Sequence, residues 1–260
     1  EDRPARDFDA ISASAGALWH ASDTLHFSLG VDRAERAPTA EELFSDGAHV
    51  ATRSFEIGDS GLGSEIANQL EFGIHMHVGP LSARAALFET RYDGFIYLAD
   101  TGLEEDELPV RQWTQGDATF RGFEAEAEIE LADNASGTWA VRFSGDRVRA
   151  SLDDGGALPR IVPARFGAGF SWQLEGWRAS INAMRHADQD RVAALESPTA
   201  GYTLVDAHLA WHWDGTRAGW EVFLDATNLT DREARAHTSF LKDLAPLPGR
   251  SVAFGLRAFF

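Results

Sequence analysis

Residues 122–131 read Gly-Phe-Glu-Ala-Glu-Ala-Glu-Ile-Glu-Leu, so Phe123, Ala125, Ala127, Ile129 and Leu131 alternate with Glu124, Glu126, Glu128 and Glu130. A period of two is that of a β-strand, whose successive side chains point to opposite faces. Four carboxylates on one face require water, because ionised groups are almost never buried without partners. The opposite face carries only apolar groups and must meet an apolar medium.

The same alternation extends in both directions from this stretch. Leu70, Phe72, Ile74, Met76 and Val78 alternate with Gln69, Glu71, Gly73, His75 and His77; Leu25, Phe27, Leu29 and Val31 alternate with His26, Ser28 and Gly30. Eleven such segments are expected, at about 9–20, 24–33, 66–79, 81–98, 119–131, 137–149, 164–175, 177–188, 202–213, 219–229 and 250–260. Most reach the roughly 9–11 residues that a tilted strand needs to cross a bilayer. In 81–98 the apolar parity runs Leu81, Ala83, Ala85, Leu87 and then shifts to Phe88, Ile96 and Leu98, which predicts a β-bulge or an extension of the strand above the bilayer.

The connections alternate in length. Short ones carry turn residues: His20-Ala-Ser-Asp23, Gly79-Pro80, Asp133-Asn-Ala-Ser136, Glu175-Gly176 and Asp214-Gly-Thr-Arg217. Long ones fall at about 34–65, 99–118, 150–163, 189–201 and 230–249. Short turns at one rim and long loops at the other are the pattern of an outer-membrane barrel. Of eight tryptophans, all but Trp113 (Trp19, Trp139, Trp172, Trp177, Trp211, Trp213 and Trp220) lie beside the short turns, where a barrel needs an aromatic girdle at the membrane interface. A soluble antiparallel protein also alternates, but it has no reason to gather its tryptophans at one set of connections.

Composition narrows the class further. The chain has 260 residues with 44% apolar content, enough for a sizeable core. No uninterrupted apolar run of about 18 residues occurs, and the mean hydropathy of -0.26 excludes a transmembrane helix without speaking against strands. A net charge of -18 argues against nucleic-acid binding, which needs clustered Lys and Arg. The absence of cysteine removes disulfides, thiol nucleophiles and Cys-based metal sites. No Ser-His-Asp, paired-carboxylate or phosphate-loop arrangement stands out, so an enzyme is not expected. The first residue is not Met and no charged-then-apolar leader opens at Glu1, so the export signal is expected upstream.

Four motifs in order, closed by a terminal aromatic, resemble TonB-dependent receptors of the outer membrane over essentially the whole chain. Arg36-Ala-Pro-Thr-Ala-Glu-Glu-Leu-Phe44 resembles the family's motif before the long seventh extracellular loop, and Gly122-Phe-Glu-Ala-Glu126 its Gly-x-Glu strand. Leu158-Pro-Arg-Ile-Val-Pro163 resembles its Pro-rich strand lead-in, and Asn228-Leu-Thr-Asp231 its Asn-Leu-x-Asp before the last loop. The final strand, ending in Phe260, resembles the sorting signal read by the barrel assembly machinery. The resemblance implies an all-β antiparallel transmembrane barrel of 22 strands, of which residues 1–260 would supply the last eleven. It also implies a monomeric receptor in outer-membrane lipid, with a plug domain outside this chain engaging the TonB energy-coupling complex.

The substrate reading rests on fewer residues. Phe44-Ser-Asp-Gly-Ala-His49-Val-Ala-Thr52 and His237-Thr-Ser-Phe-Leu-Lys-Asp-Leu-Ala-Pro-Leu-Pro-Gly249 resemble zinc-uptake receptors within the family. His49, Asp46, Glu42 and His237 are the candidate ligands: imidazole suits a borderline cation such as zinc, and carboxylates complete a cysteine-free site. No resident cofactor is expected. Heme is the alternative cargo, since heme receptors carry a histidine in this loop; Glu35 in place of an aromatic, and Gly58-Asp-Ser-Gly-Leu62, count against it. The plain alternative for His49 is a solvated loop histidine. His26, His75, His77, His208 and His212 share the water-facing parity, and their plain reading is polar filling of the lumen. A porin or adhesin barrel and a membrane-embedded enzyme are the competing classes; the former would lack the four motifs and the latter would need a nucleophile and base at the outer rim.

Overall fold

A computed structural model describes residues 6–260; the opening at Glu1, read above as lacking an export leader, lies outside them. In chain order the elements are β1 (Ala13–Ser22), β2 (Leu25–Arg36), α1 (Ala40–Phe44), β3 (Asp46–His49), β4 (Ser54–Ile57), β5 (Glu65–Val78), β6 (Leu81–Glu105) and β7 (Leu108–Asn134). They continue with β8 (Gly137–Leu152), β9 (Arg165–Leu174), β10 (Trp177–His186), β11 (Tyr202–Asp214), β12 (Gly219–Thr227) and β13 (Ser251–Phe259). Eleven of the strands form one antiparallel meander in the order β1-β2-β5-β6-β7-β8-β9-β10-β11-β12-β13. Each pairs with its sequence neighbour along the path, as hairpins joined by short turns and longer returns dictate. The short β3 and β4 pair with each other above this sheet, and β4 adds a parallel contact to β7.

Registry shows why the alternation holds. One row runs Leu25, Met76, Ala83, Ala127, Phe143, Ala168, Ala183, Val205 across eight strands. The next row, one residue away on each strand, runs His26, His75, Arg84, Glu126, Ser144. A one-residue slip would exchange the two sets, so the pattern fixes the register. The apolar face is open: Leu70 is 52% exposed, Leu87 60%, Phe143 51% and Phe254 75%. A soluble sandwich would cover such a surface with a second layer. The buried apolar residues sit instead near the long-loop end, where Leu43, Leu62 and Ile96 pack with Phe8, Phe44 and Trp113, and Ala118, Ala150 and Leu158 pack with Tyr92, Phe95 and Phe120.

The aromatic girdle takes shape on the outer face beside the short turns. Trp139 meets Trp172 at 5.7 Å between ring centroids, Trp177 meets Trp211 at 5.6 Å, and Trp211 meets Trp213 at 4.6 Å. At the Glu175-Gly176 turn the backbone of Gly176 accepts from His212 N–H, and a Cβ there would stand 1.9 Å from the His212 carbonyl, so only glycine fits.

Two expectations change in detail. The expected loop 99–118 is the far half of a single long hairpin, β6 having 25 residues and β7 27, turned at Asp106-Glu107 with both residues at positive φ. At about 3.3 Å per residue, 25 residues reach roughly 80 Å, far more than the roughly 30 Å of hydrocarbon. Above the bilayer neither face needs to be apolar, so period-two contrast fades while the ladder continues. The bulge expected in β6 is present between Tyr92 and Phe95, where Gly94 takes φ +68°. It does not cause the parity shift at Phe88, which stays in register opposite Gly122 and lays its ring over that glycine on the lumen face.

Candidate functional site

The long-loop end is where buried polar groups converge. The Arg36-Ala-Pro motif builds its first part. Pro38 leads into Thr39, which caps α1 by accepting from Glu42 N–H, while Glu42 accepts from Thr39 N–H at 2.7 Å, a capping box. Arg36 then makes two forked contacts, to Glu42 (2.9 and 3.2 Å) and to Glu65 (3.0 and 3.2 Å), and Glu65 also accepts from Ile96 N–H at 2.7 Å. The planar guanidinium suits this double carboxylate clamp, which fastens α1 to β2, β5 and β6. Glu42 is therefore a structural anchor with both oxygens engaged.

Beyond α1, β3 and β4 form a small hairpin that leans on β7 through Phe55, Glu56 and Ile57 opposite Val110, Arg111 and Gln112. Asp46 opens β3 and is exposed; His49 closes it. The His49 side chain is 46% exposed, with Nδ1 3.6 Å from Glu56 Oε1 and 3.3 Å from Thr52 Oγ1. The Thr52 hydroxyl donates to Glu56, whose carboxylate is nearly buried and also accepts from Ser54 at 3.3 Å. With Thr52 donating to Glu56, its oxygen accepts from Nδ1–H, which leaves the Nε2 lone pair unused. Glu56 was not singled out from the sequence: it lies seven residues after His49, and only the hairpin brings them together.

His237 lies elsewhere. Its side chain is 1% exposed; Nε2 stands 3.2 Å from Glu196 Oε1, and Nδ1 is 2.9 Å from Thr199 Oγ1 and 3.4 Å from Lys242 Nζ. Both ring nitrogens are thus engaged. Burial pushes the Glu196 carboxyl up, but hydrogen bonds from His237, Lys242 and the backbone N–H groups of Ala193 and Arg160 outweigh it and hold the group at about 2. Close by, Phe240 lies against two guanidiniums, with Arg160 4.2 Å and Arg111 4.9 Å from the ring centroid. Arg111 also pairs with Asp100 at 2.7 Å and donates to the Thr52 carbonyl at 3.1 Å, while Arg160 donates to the Leu98 carbonyl at 2.7 Å. Burial pulls the Arg160 guanidinium below its ordinary value, and the nearby positive Arg111 adds to the effect. Phe240 so ties the last loop to the β6–β7 hairpin and to the β3–β4 hairpin.

No hydrogen bond or ion pair joins any two of Glu42, Asp46, His49 and His237, and among the described residues no cluster of three or more His, Asp or Glu side chains stands ready to hold a metal. The lumen face below carries His26, His75 and His77 with Arg84, Glu126, Glu128 and Arg142 around a 340 Å³ cavity. Its carboxylates are matched by cations: Arg84 to Glu126 at 2.6 Å, and Arg142 to Glu126 at 3.2 Å and to Glu128 at 2.8 Å. His208 pairs with Asp225 on the same face further along the sheet.

The geometry has counterparts among solved structures. A copper transporter, OprC, superposes with a TM-score of 0.80 at 22% identity, covering 96% of this chain and 39% of its own. The FrpB iron transporter from Neisseria meningitidis gives 0.67 at 18%, covering 95% and 37%. A mutant of the ferric enterobactin receptor PfeA from Pseudomonas aeruginosa gives 0.66 at 18%, covering 95% and 40%. At such identities the likeness is one of fold, and the chain spans about two fifths of the length of each structure. Residues 2–229 match the family described as TonB dependent receptor-like, beta-barrel, whose members are transport receptors of the Gram-negative outer membrane that work with TonB. The eleven-strand meander, the girdle and the motif-built loop platform have the same explanation as that match: this chain belongs to the TonB-dependent receptor β-barrel family.

Proposed function

We propose that this chain is the barrel wall and loop platform of an outer-membrane receptor for energy-coupled uptake of a scarce nutrient, and that the nutrient is the zinc ion. The complete receptor would reach the TonB complex through a plug domain and sit as a monomer in outer-membrane lipid. The observation that carries the metal reading is the His49–Thr52–Glu56 relay. A metal-binding histidine commonly hands its other ring N–H to a carboxylate or a bridging group, which fixes the tautomer and raises ligand basicity. His49 has that arrangement on a half-exposed side chain, so Nε2 is the ligand atom and Glu56 its orienting partner. Asp46, three residues earlier on the same strand, is an expected carboxylate whose side chain has no hydrogen bond or ion pair among the described residues. Glu42 and His237 act by holding the platform together, and the remaining ligands would come from parts of the receptor outside this chain.

The test is a zinc titration of the complete receptor and its His49→Ala and Glu56→Gln variants. Loss of the orienting carboxylate should weaken zinc about tenfold, and loss of the ligand by at least as much. Unchanged zinc affinity in His49→Ala overturns the assignment. Loss of a Soret-shifted bound species from the same variant would instead identify heme. Binding of a ferric siderophore with no response to zinc would place the receptor with the iron transporters it resembles in fold.

A further inference from the structure

The outer face carries a feature that uptake does not use. Registry places Arg91, Arg121, Arg147, Arg149 and Arg185 on the same side of the sheet as Leu70, Leu87, Phe123 and Phe166: Leu70 pairs with Glu89 and Glu89 with Arg121, Arg121 with Arg149, Phe123 with Arg147, and Phe166 with Arg185. Arg91 and Arg121 both reach Glu89, at 2.8 and 2.6 Å. Arg147 and Arg149 are exposed residues whose side chains, among the described residues, make no hydrogen bond or ion pair. Unpaired cations facing outward are unexpected in a chain of net charge -18, which has carboxylates to spare. They lie along β8 on the long-loop side of Phe143, where the apolar band ends.

A cleft of about 400 Å³ opens beside them, lined by Phe123 and Phe166 from the apolar band, by Arg147 and Arg149, and by Ile161 and Pro163 of the segment entering β9. Asp188 and Asp190, which follow the end of β10, border it too, so an anion must seat on the β8 side. An apolar floor continuous with the lipid-facing surface, topped by two free guanidiniums, is complementary to a molecule with acyl chains below and phosphate above. We propose that this cleft binds a phosphorylated lipid of the outer leaflet, with Arg147 and Arg149 on its phosphate and Phe123 and Phe166 against its acyl chains. The inference rests on the reading of the apolar face as lipid-facing. It adds a lipid-specific contact that neither the girdle nor the apolar band requires.

The complete receptor, purified in detergent, is assayed by native mass spectrometry with lipid A, with dephosphorylated lipid A, and with inorganic phosphate. Each arginine near an anionic lipid surface is worth about fivefold in affinity, so Arg147→Gln with Arg149→Gln should weaken lipid A about 25-fold. Dephosphorylated lipid A should bind the unaltered receptor about as weakly, and Arg142→Gln, on the lumen face, should leave binding unchanged. Arg147→Lys with Arg149→Lys keeps the charge and should retain most of the affinity. Lipid A bound equally by the double glutamine variant overturns the proposal, as does inorganic phosphate competing at equal concentration, which would make the site one for free anion. Quenching of Trp177 and Trp211 by brominated acyl chains reports separately on the orientation: quenching without lipid A selectivity refutes the cleft alone, and no quenching refutes the lipid-facing reading itself.

Discussion

Glu196 carries much of the loop platform on one carboxylate. Its side chain is 4% exposed and accepts from Lys242 at 3.0 Å and from His237 at 3.2 Å, so removing it strands a buried cation. A carboxyl held at about 2 against an ordinary 4.5 stabilises the folded loops wherever it is ionised in the unfolded chain, which is above about 4.5. That stability, about 3 kcal/mol, is lost as pH falls through the window from about 4.5 to about 2. Amide-exchange protection over residues 189–201 and 234–247 should therefore drop across that window in the complete receptor. Glu196→Gln should show weakened protection already at neutral pH and little further change on acidification; flat protection in the unaltered protein would refute the role. None of this was legible in the sequence. His237 stands out as a histidine in a loop, but its partners Thr199 and Glu196 lie 38 and 41 residues away on another loop, and no local period encodes a contact between two irregular segments. His49 fared better for a physical reason: its partners Thr52 and Glu56 are on the same hairpin, although the sequence favoured Glu42, which the capping box and Arg36 occupy.

At the scale of the strand, a residue's place in the alternation decides what surrounds it. Ala127 lies in a row of apolar residues between Ala83 and Phe143, and Glu126 faces the lumen between Arg84 and Arg142. Ala127→Arg puts a guanidinium into hydrocarbon and should cost about 2–4 kcal/mol near the midplane. Glu126→Gln removes two water-exposed ion pairs, each worth about 0–1 kcal/mol, and should cost less than half as much. Reversible unfolding of the complete receptor in lipid vesicles measures both, and equal costs would contradict the assigned faces. All eleven meander strands were legible because a wall between lipid and water enforces period two on every residue. The signal failed where that boundary ends: β6 and β7 continue as a ladder through residues 99–118, where both faces meet water or other loops, and β3 and β4 are four residues each, too short to show a period.

At the scale of the whole molecule, the sheet has two edges. β1 and β13 end the strand order without a partner on their outer sides among the described residues, and Val252, Phe254 and Leu256 on β13 are 58–75% exposed. An open edge leaves N–H and C=O groups unpaired, which hydrocarbon does not tolerate. In the receptor proposed above, further strands would close the wall between β13 and β1, and the pairing of β13 would be completed during assembly. Phe260 follows it with a relative exposure of 103% and makes no ring contact among the described residues. Its removal should cost little stability, as for a surface residue with no partner, within about 0.5 kcal/mol. A strong effect of deleting Phe260 on the amount of receptor in the outer membrane would then act through recognition of the last strand by the assembly machinery. The expected outcome is a several-fold lower outer-membrane level, with unchanged unfolding and unchanged ligand affinity in the fraction that assembles. Deletion that leaves the level intact removes Phe260 as the signal; deletion that lowers unfolding stability in the assembled fraction gives the residue a packing role instead.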